Sequence, residues 1–255
     1  MIPLLLSFKR VTEKENYAVF EAEGFWPGYG TILGNAIRKV LLSSISGAAV
    51  YKVKLKGVPH EFSTIPGVLE DTLHIILNLK NLRFKAFSDE PQKVTLKAKG
   101  EKKVTGKDLE VPSQLELVNP DLEIATLTDK NSKLELEMMV KKGVGYETEE
   151  MVKEGEKLEI GEVALDAIYS PVKFANYKVE NMRVGKRTDF DKLQIELETD
   201  GTIKPTEALS EALNILISQL NFLISNLEET KAKELKTSDK SQEKKKKKNE
   251  KEKSK

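Results

Sequence analysis

The sequence predicts an α+β protein, and three observations carry that prediction. Segments near both ends of the body alternate apolar and polar residues with the period of half-buried strands. Residues 82 to 170 are mostly short alternating pieces divided by Gly, Pro and Asn. Runs of helical period stand apart from these strands, the longest closing the body in a leucine stripe.

In chain order, YAVFEAEGF (17 to 25) reads as a strand leading into the turn and helix of GYGTILGNAIRKVLLSS (28 to 44). Nothing breaks that helix from Gly34 to Ser44, and Gly47 stands where a C-terminal stop is expected. AVYKVKLKGV (49 to 58) is the next strand, followed by the Pro- and Gly-punctuated loop GVPHEFSTIPG. Val68 to Leu79 places Val68, Leu69, Leu73, Ile76, Leu77 and Lys80 at helical intervals and predicts a second helix. KVTLKAKG, LELVNP, KLELEMMVKKG and KLEIGEVALDAIY make the strand-rich region, and FANYKVENMRV and KLQIELETDG add two further strands. TIKPTEAL opens the last helix, where Pro205 is tolerated because a first-turn N–H has no intrahelical partner.

Composition removes much of enzyme chemistry. With no cysteine there is no disulfide, thiolate metal site or Cys nucleophile, and His60 and His74 are too few for a histidine-rich zinc site. Cofactors and metals are therefore expected to be none. No apolar run approaches the roughly 20 residues that span a bilayer, and Ile2 to Leu6 is too short for a signal-peptide core, so the expected location is the cytoplasm, without a membrane. Residues 231 to 255 hold 12 Lys against 5 Asp or Glu, so the residues before them carry a net charge of −6 within a total of +1. This tail, almost without apolar residues, is expected to be disordered, either a solubilising appendage or a source of weak, salt-sensitive attraction to nucleic acid (DNA at most weakly) or another acidic surface.

Leu209, Leu213, Leu216, Leu220, Leu223 and Leu227 are separated by 4, 3, 4, 3 and 4 residues, and Ile217 and Ile224 widen the stripe. The stripe fits either a core helix inside its own domain or a helix packed across a two-fold axis on a second copy. Its length and width favour the dimer.

Glycines at 28, 30 and 34 give G-x-G-x-x-x-G, not the G-x-G-x-x-G of dinucleotide folds, and no G-K-[ST] follows. A nucleotide-binding enzyme using GYGTILG and a stand-alone nucleic-acid binder using the lysine tail are the rival readings. On a helical wheel Ile32, Leu33, Ala36, Ile37, Val40 and Leu41 form one side, expected to be core. Asn35, Arg38, Lys39 and Leu42 form the other, which suits either a solvated face or the anchor and rim of a protein interface. Asp189-Phe-Asp191 has the look of a magnesium site but lacks a third carboxylate, so a turn with exposed charges is expected. His60-Glu61 beside Ser63 lacks an oxyanion-hole signature, and His74 is expected to be a core or boundary histidine.

The runs GYGTILGNAIRKVLLSSISGAAV and GVPHEFSTIPGVLEDTLHIILNLKNL closely resemble the amino-terminal domain of the bacterial and plastid RNA polymerase alpha-subunit family. So do LDAIYSPVKFANYKVEN and RVGKRTDFDKLQIELETDGTIKPTEAL, and the resemblance covers roughly residues 1 to 228. It implies a discontinuous two-domain α+β structure: a dimerisation domain from about 1 to 46 and 171 to 228, interrupted by a strand-rich insert domain at 47 to 170. It also implies a non-catalytic subunit whose homodimer collects the beta and beta-prime subunits of a nucleotidyltransferase complex. Arg38, Lys39 and Leu42 match the family's beta-subunit surface, with Lys39 where the family commonly has a second arginine, and Lys80 matches a beta-prime contact. KGVGYETEE lacks the apolar and proline residues that usually follow Gly-Tyr. Where family members often continue into a promoter-reading helical domain, this chain has its lysine-rich tail, and that domain is expected to be absent.

Overall fold

The computed structural model describes residues 7–58, 62–156, 158–159 and 161–227. The expectations for the lysine-rich tail, for Ile2 to Leu6 and for His60-Glu61 lie outside these residues. The described residues up to Ala212 form one compact unit, and those from Leu213 to Leu227 belong to a second.

The first sheet is antiparallel and built from the two ends of the first unit. Its strands are β1 (Ser7–Lys14), β2 (Tyr17–Phe25), β6 (Val172–Val184) and β7 (Arg187–Thr199), in the spatial order β1, β2, β7, β6. Alternation sorts their side chains. Phe20 and Ala22 face the same side as their cross-strand partners Ile195 and Leu193, and all four are buried. Helix α1 (Tyr29–Ser43) packs against β6 and β7.

The other face of this sheet carries a three-strand ion cluster. Glu21 lies 2.8 Å from Lys9 on β1 and 2.7 Å from Lys192 on β7, and its side chain is only 8% exposed. The contact with Lys192, then that with Lys9, holds its carboxyl down to about 2 from an ordinary 4.5. A lowered folded-state value means that this carboxylate stabilises the fold above pH 4.5 and loses that contribution as pH falls towards about 2. Glu21→Gln should therefore flatten the decline of Tm with falling pH across that window. Parallel acid titrations of the two proteins check this, and identical slopes would contradict it.

The second sheet is seven-stranded and centres on β3 (Ser46–Leu55) and its antiparallel neighbour β5 (Lys133–Val144), with β4 (Gln92–Lys99) on the far side of β5. Short strands at Leu109–Glu110, Phe84–Ala86, Leu115–Leu117 and Glu162–Ala164 complete it. One face buries Val53, Leu55, Val94, Leu96, Leu136 and Met138 in the largest apolar cluster, together with Ile75, Ile76 and Leu79 of helix α2 (Thr72–Lys80).

Several local expectations change. Helix α1 starts at Tyr29, five residues before Gly34, and Gly47 is not its stop but lies in β3. A Cβ on Gly47 would stand 1.9 Å from the Tyr169 carbonyl oxygen, so the glycine permits a close backbone crossing. Helix α2 starts at Thr72, capped by Asp71, which accepts from the His74 backbone N–H at 2.7 Å. Val68 and Leu69 precede it, and the buried row is Thr72, Ile75, Ile76 and Leu79, which turns Leu73 and Leu77 outward. Within the strand-rich region, helix α3 (Glu149–Gly155) covers Tyr51 and Tyr169 through Val152. Its start was present in the sequence as Thr148 followed by Glu149 and Glu150, the residue types that stabilise a helix N-terminus.

Candidate functional site

The glycine-studded turn is a packing device. Gly28 has φ +86°, a conformation that favours glycine, and leads into α1. Asp191 of β7, buried, accepts from the backbone N–H groups of Gly28 at 2.9 Å and Gly30 at 3.0 Å. The helix N-terminus, where a phosphate would bind, is thus already occupied by a carboxylate of the same chain. A Cβ on Gly30 would meet Asp191 and Val179 at 2.9 and 3.0 Å, and one on Gly34 the Tyr177 ring at 2.5 Å. Gly30, Gly34, Ile37 and Leu41 form the buried row that rests on the sheet.

This row rotates the helix away from the expected wheel. Ile32, assigned to the core, is 65% exposed, because the two glycines and not the isoleucine point into the sheet. Asn35 and Lys39 are exposed and Leu42 is half-buried. Arg38 is half-buried too, its Nε donating to the Ala175 carbonyl of β6 at 3.1 Å. Lys39 and Leu42 therefore belong to an outward surface with Ile32 and Asn35, while Arg38 anchors its edge to β6.

The second predicted surface residue, Lys80, ends α2 with its Nζ 3.3 Å from Asp166. Asp166 also accepts from the Glu149 backbone N–H at 2.9 Å, and these contacts, the backbone one first, hold its carboxyl below the usual range. Exposed Leu69, Leu73 and Leu77, which the sequence set at helical intervals with Ile76, give the region around α2 an outward apolar side. The signal that would have found it is Asp71 as a cap, which fixes where the helix starts and so which leucines face inward.

The remaining candidates resolve into structural roles. Asp189 makes a two-point contact with Arg187, at 2.9 and 2.6 Å, and Asp191 caps α1 instead of standing exposed in a turn, so the two do not share a site. His74 is an exposed first-turn residue beside Asp71, with Nδ1 and Oδ1 2.7 Å apart, and not a core or boundary histidine. The Ser63 carbonyl accepts from the hydroxyl of Thr72 at 2.8 Å.

Helix α4 (Pro205–Leu227) carries the leucine stripe. Ala208, Leu209 and Ala212 are buried, so Leu209 is taken up by the core of the first unit and the exposed stripe begins at Leu213. Leu220 and Leu223 are each 58% exposed and Leu227 64%, while Leu216 is half-buried. Residues 213 to 227 include no charged side chain. Ser218, Ser225 and Asn226 donate back to carbonyls of their own helix. By length and composition α4 is apolar enough to cross a membrane, with a mean hydropathy of 1.2. The sequence shows no unbroken apolar run there, because Asn214, Ser218, Gln219, Asn221, Ser225 and Asn226 interrupt it. Those uncharged polar residues leave the window as a whole apolar.

Comparison with known proteins follows the same lines. A family model described as the RNA polymerase Rpb3/RpoA insert domain matches residues 53–170. The chain is 46% identical over 228 residues to the DNA-directed RNA polymerase subunit alpha of Roseiflexus sp. (strain RS-1), covering 87% of this chain and 70% of that protein. The subunit alpha of Symbiobacterium thermophilum is 44% identical over 225 residues, 88% of this chain and 71% of its own length. That of Carboxydothermus hydrogenoformans is 44% identical over 221 residues, covering 87% and 70%.

Proposed function

We infer that this chain, which belongs to the family of DNA-directed RNA polymerase alpha subunits, acts in transcription as the dimeric, non-catalytic scaffold on which the large subunits of that nucleotidyltransferase assemble. The observation that carries this reading is the exposed, charge-free surface of α4. Fifteen residues of helix with exposed leucines and no ionised side chain resemble the core of an obligate interface cut in half. A second copy presents the same surface, so Leu213, Leu216, Leu220, Leu223 and Leu227 meet their counterparts across a two-fold axis. The amide groups along the same helix favour a protein partner over lipid, where they would lack hydrogen-bond partners. The dimerisation domain is then residues 1 to 46 and 171 to 228, the insert domain residues 47 to 170, and the location cytoplasmic.

Each protomer offers one outward face of α1 to the beta subunit. Lys39 and Leu42 supply the rim charge and the apolar anchor, and Arg38 sets the edge while its remaining guanidinium N–H groups stay available. Lys80, already paired with Asp166, presents a local dipole to the beta-prime subunit. In co-purification with the tagged polymerase, Lys39→Glu with Leu42→Ala should cut recovery of the beta subunit by about tenfold, as loss of an interface anchor does, and leave the dimer intact. Full recovery of the beta subunit would reject this face.

A further inference from the structure

The outward face of the second sheet is a lattice of charge. Register places Lys54, Glu137 and Thr95 in one row across β3, β5 and β4, and Lys52, Met139 and Lys93 in the row beside it. On the other side of that first row come Lys56, Glu135 and Lys97, with Lys56 2.8 Å from Glu135, and then Lys133 opposite Lys99. Same-face side chains are spaced about 6.8 Å along a strand and about 4.8 Å between strands. Within these four rows seven lysines thus share the face with only Glu135 and Glu137.

One end of the lattice is covered by the chain itself. Glu156 and Glu162 reach Lys52 at 3.1 and 3.8 Å, and Glu159 reaches Lys54 at 2.8 Å. Three glutamates that follow α3 in sequence therefore lie over lysines of β3.

The other end is uncovered among the described residues. Lys56 is 77% exposed, and Lys97, Lys99 and Lys133 are exposed without an ion-pair partner among the described residues. Lys99 stands directly opposite Lys133, an arrangement that costs stability because like charges face each other across a strand pair. A trough of about 830 Å³ opens at this end, lined among others by Lys54, Lys56, Lys97, Glu135 and Gly161.

We propose that this end of the lattice binds an extended, acidic segment of a partner protein, as the chain's own glutamates occupy the other end. Carboxylates on alternate residues of an extended peptide match the spacing of Lys97 and Lys99 along β4, with Lys133 of β5 beside them. Glu135 and Glu137 repel a continuous phosphate chain but leave separate slots for spaced carboxylates.

The test uses the full chain and a labelled peptide of about ten extended residues with Glu at alternate positions, read by fluorescence anisotropy at low salt. Lys97→Glu, Lys99→Glu and Lys133→Glu together should weaken binding about tenfold, the combined loss of three surface ion pairs. Lys97→Gln with Lys99→Gln, which adds no charge beside Glu135 and is gentler on folding, should weaken it about threefold. The lysine-rich tail attracts the same peptide equally in every variant, so the difference between variants is the readout. Unchanged affinity in both variants would overturn the proposal. Tighter binding of a single-stranded oligonucleotide of equal charge, lost with the same three lysines, would overturn it in favour of nucleic acid.

Discussion

With Leu220→Asp, or Leu213→Asp, the protein is expected to sediment as a monomer where the unaltered chain sediments as a dimer. Leu220 lies in the middle of the exposed stripe, and residues 213 to 227 contain no cation to neutralise a carboxylate placed there. The two-fold axis makes the penalty count twice, since both copies bring the substitution to the same seam. Burying an unpaired carboxylate costs several kcal/mol, and about 1.4 kcal/mol is a tenfold change in affinity. Even a tight dimer should therefore dissociate at micromolar concentration. Ser218→Asp supplies the control, because two residues along the helix turn it about 160° away from Leu220. Its dimer should persist. Velocity sedimentation of the three proteins decides the matter, and an intact Leu220→Asp dimer would rule out the seam.

Gly34→Val is expected to produce the largest loss of stability among changes in α1, about 3 kcal/mol or more. The first added carbon would already lie 2.5 Å from the Tyr177 ring and 2.9 Å from Leu193, and valine adds two methyl groups beyond it. Relief requires lifting the helix, which uncovers Ile37 and Leu41. Gly28→Ala is the comparison that separates crowding from backbone conformation. Space is open at Gly28, so its cost is that of a non-glycine residue at φ +86°, about 1 kcal/mol. Urea midpoints for the two variants should differ accordingly. Equal midpoints would show that the glycines serve the turn alone.

Much of the architecture is legible from residue order, where local pattern and burial agree. YAVFEAEGF is a strand at the limits its alternation indicates, and the closing helix follows its leucine period. What stays hidden depends on residues distant in sequence. The true start of α1 is set by Asp191, whose acidic side chain reads as part of a metal motif until β7 is folded beside Gly28. The role of Arg38 depends in the same way on the Ala175 carbonyl, which no helical wheel contains. Helix α2 misleads for a local reason: Val68 and Leu69 continue its period but belong to the loop before Asp71, and including them turns the predicted apolar face. The lysine lattice emerges only from register, since β3, β4 and β5 each look like an ordinary amphipathic strand in isolation.

The pairing of β2 with β7 bears on how the protein is made. Phe20 and Ala22 leave the ribosome long before Ile195 and Leu193, and between them comes the whole second sheet. A growing chain must therefore hold an unfinished hairpin and an uncapped helix through most of its synthesis, with apolar surface exposed to neighbouring nascent chains. Slow translation through β3 to β5 would prolong that exposure, and chaperone occupancy should concentrate in the interval before β7 emerges.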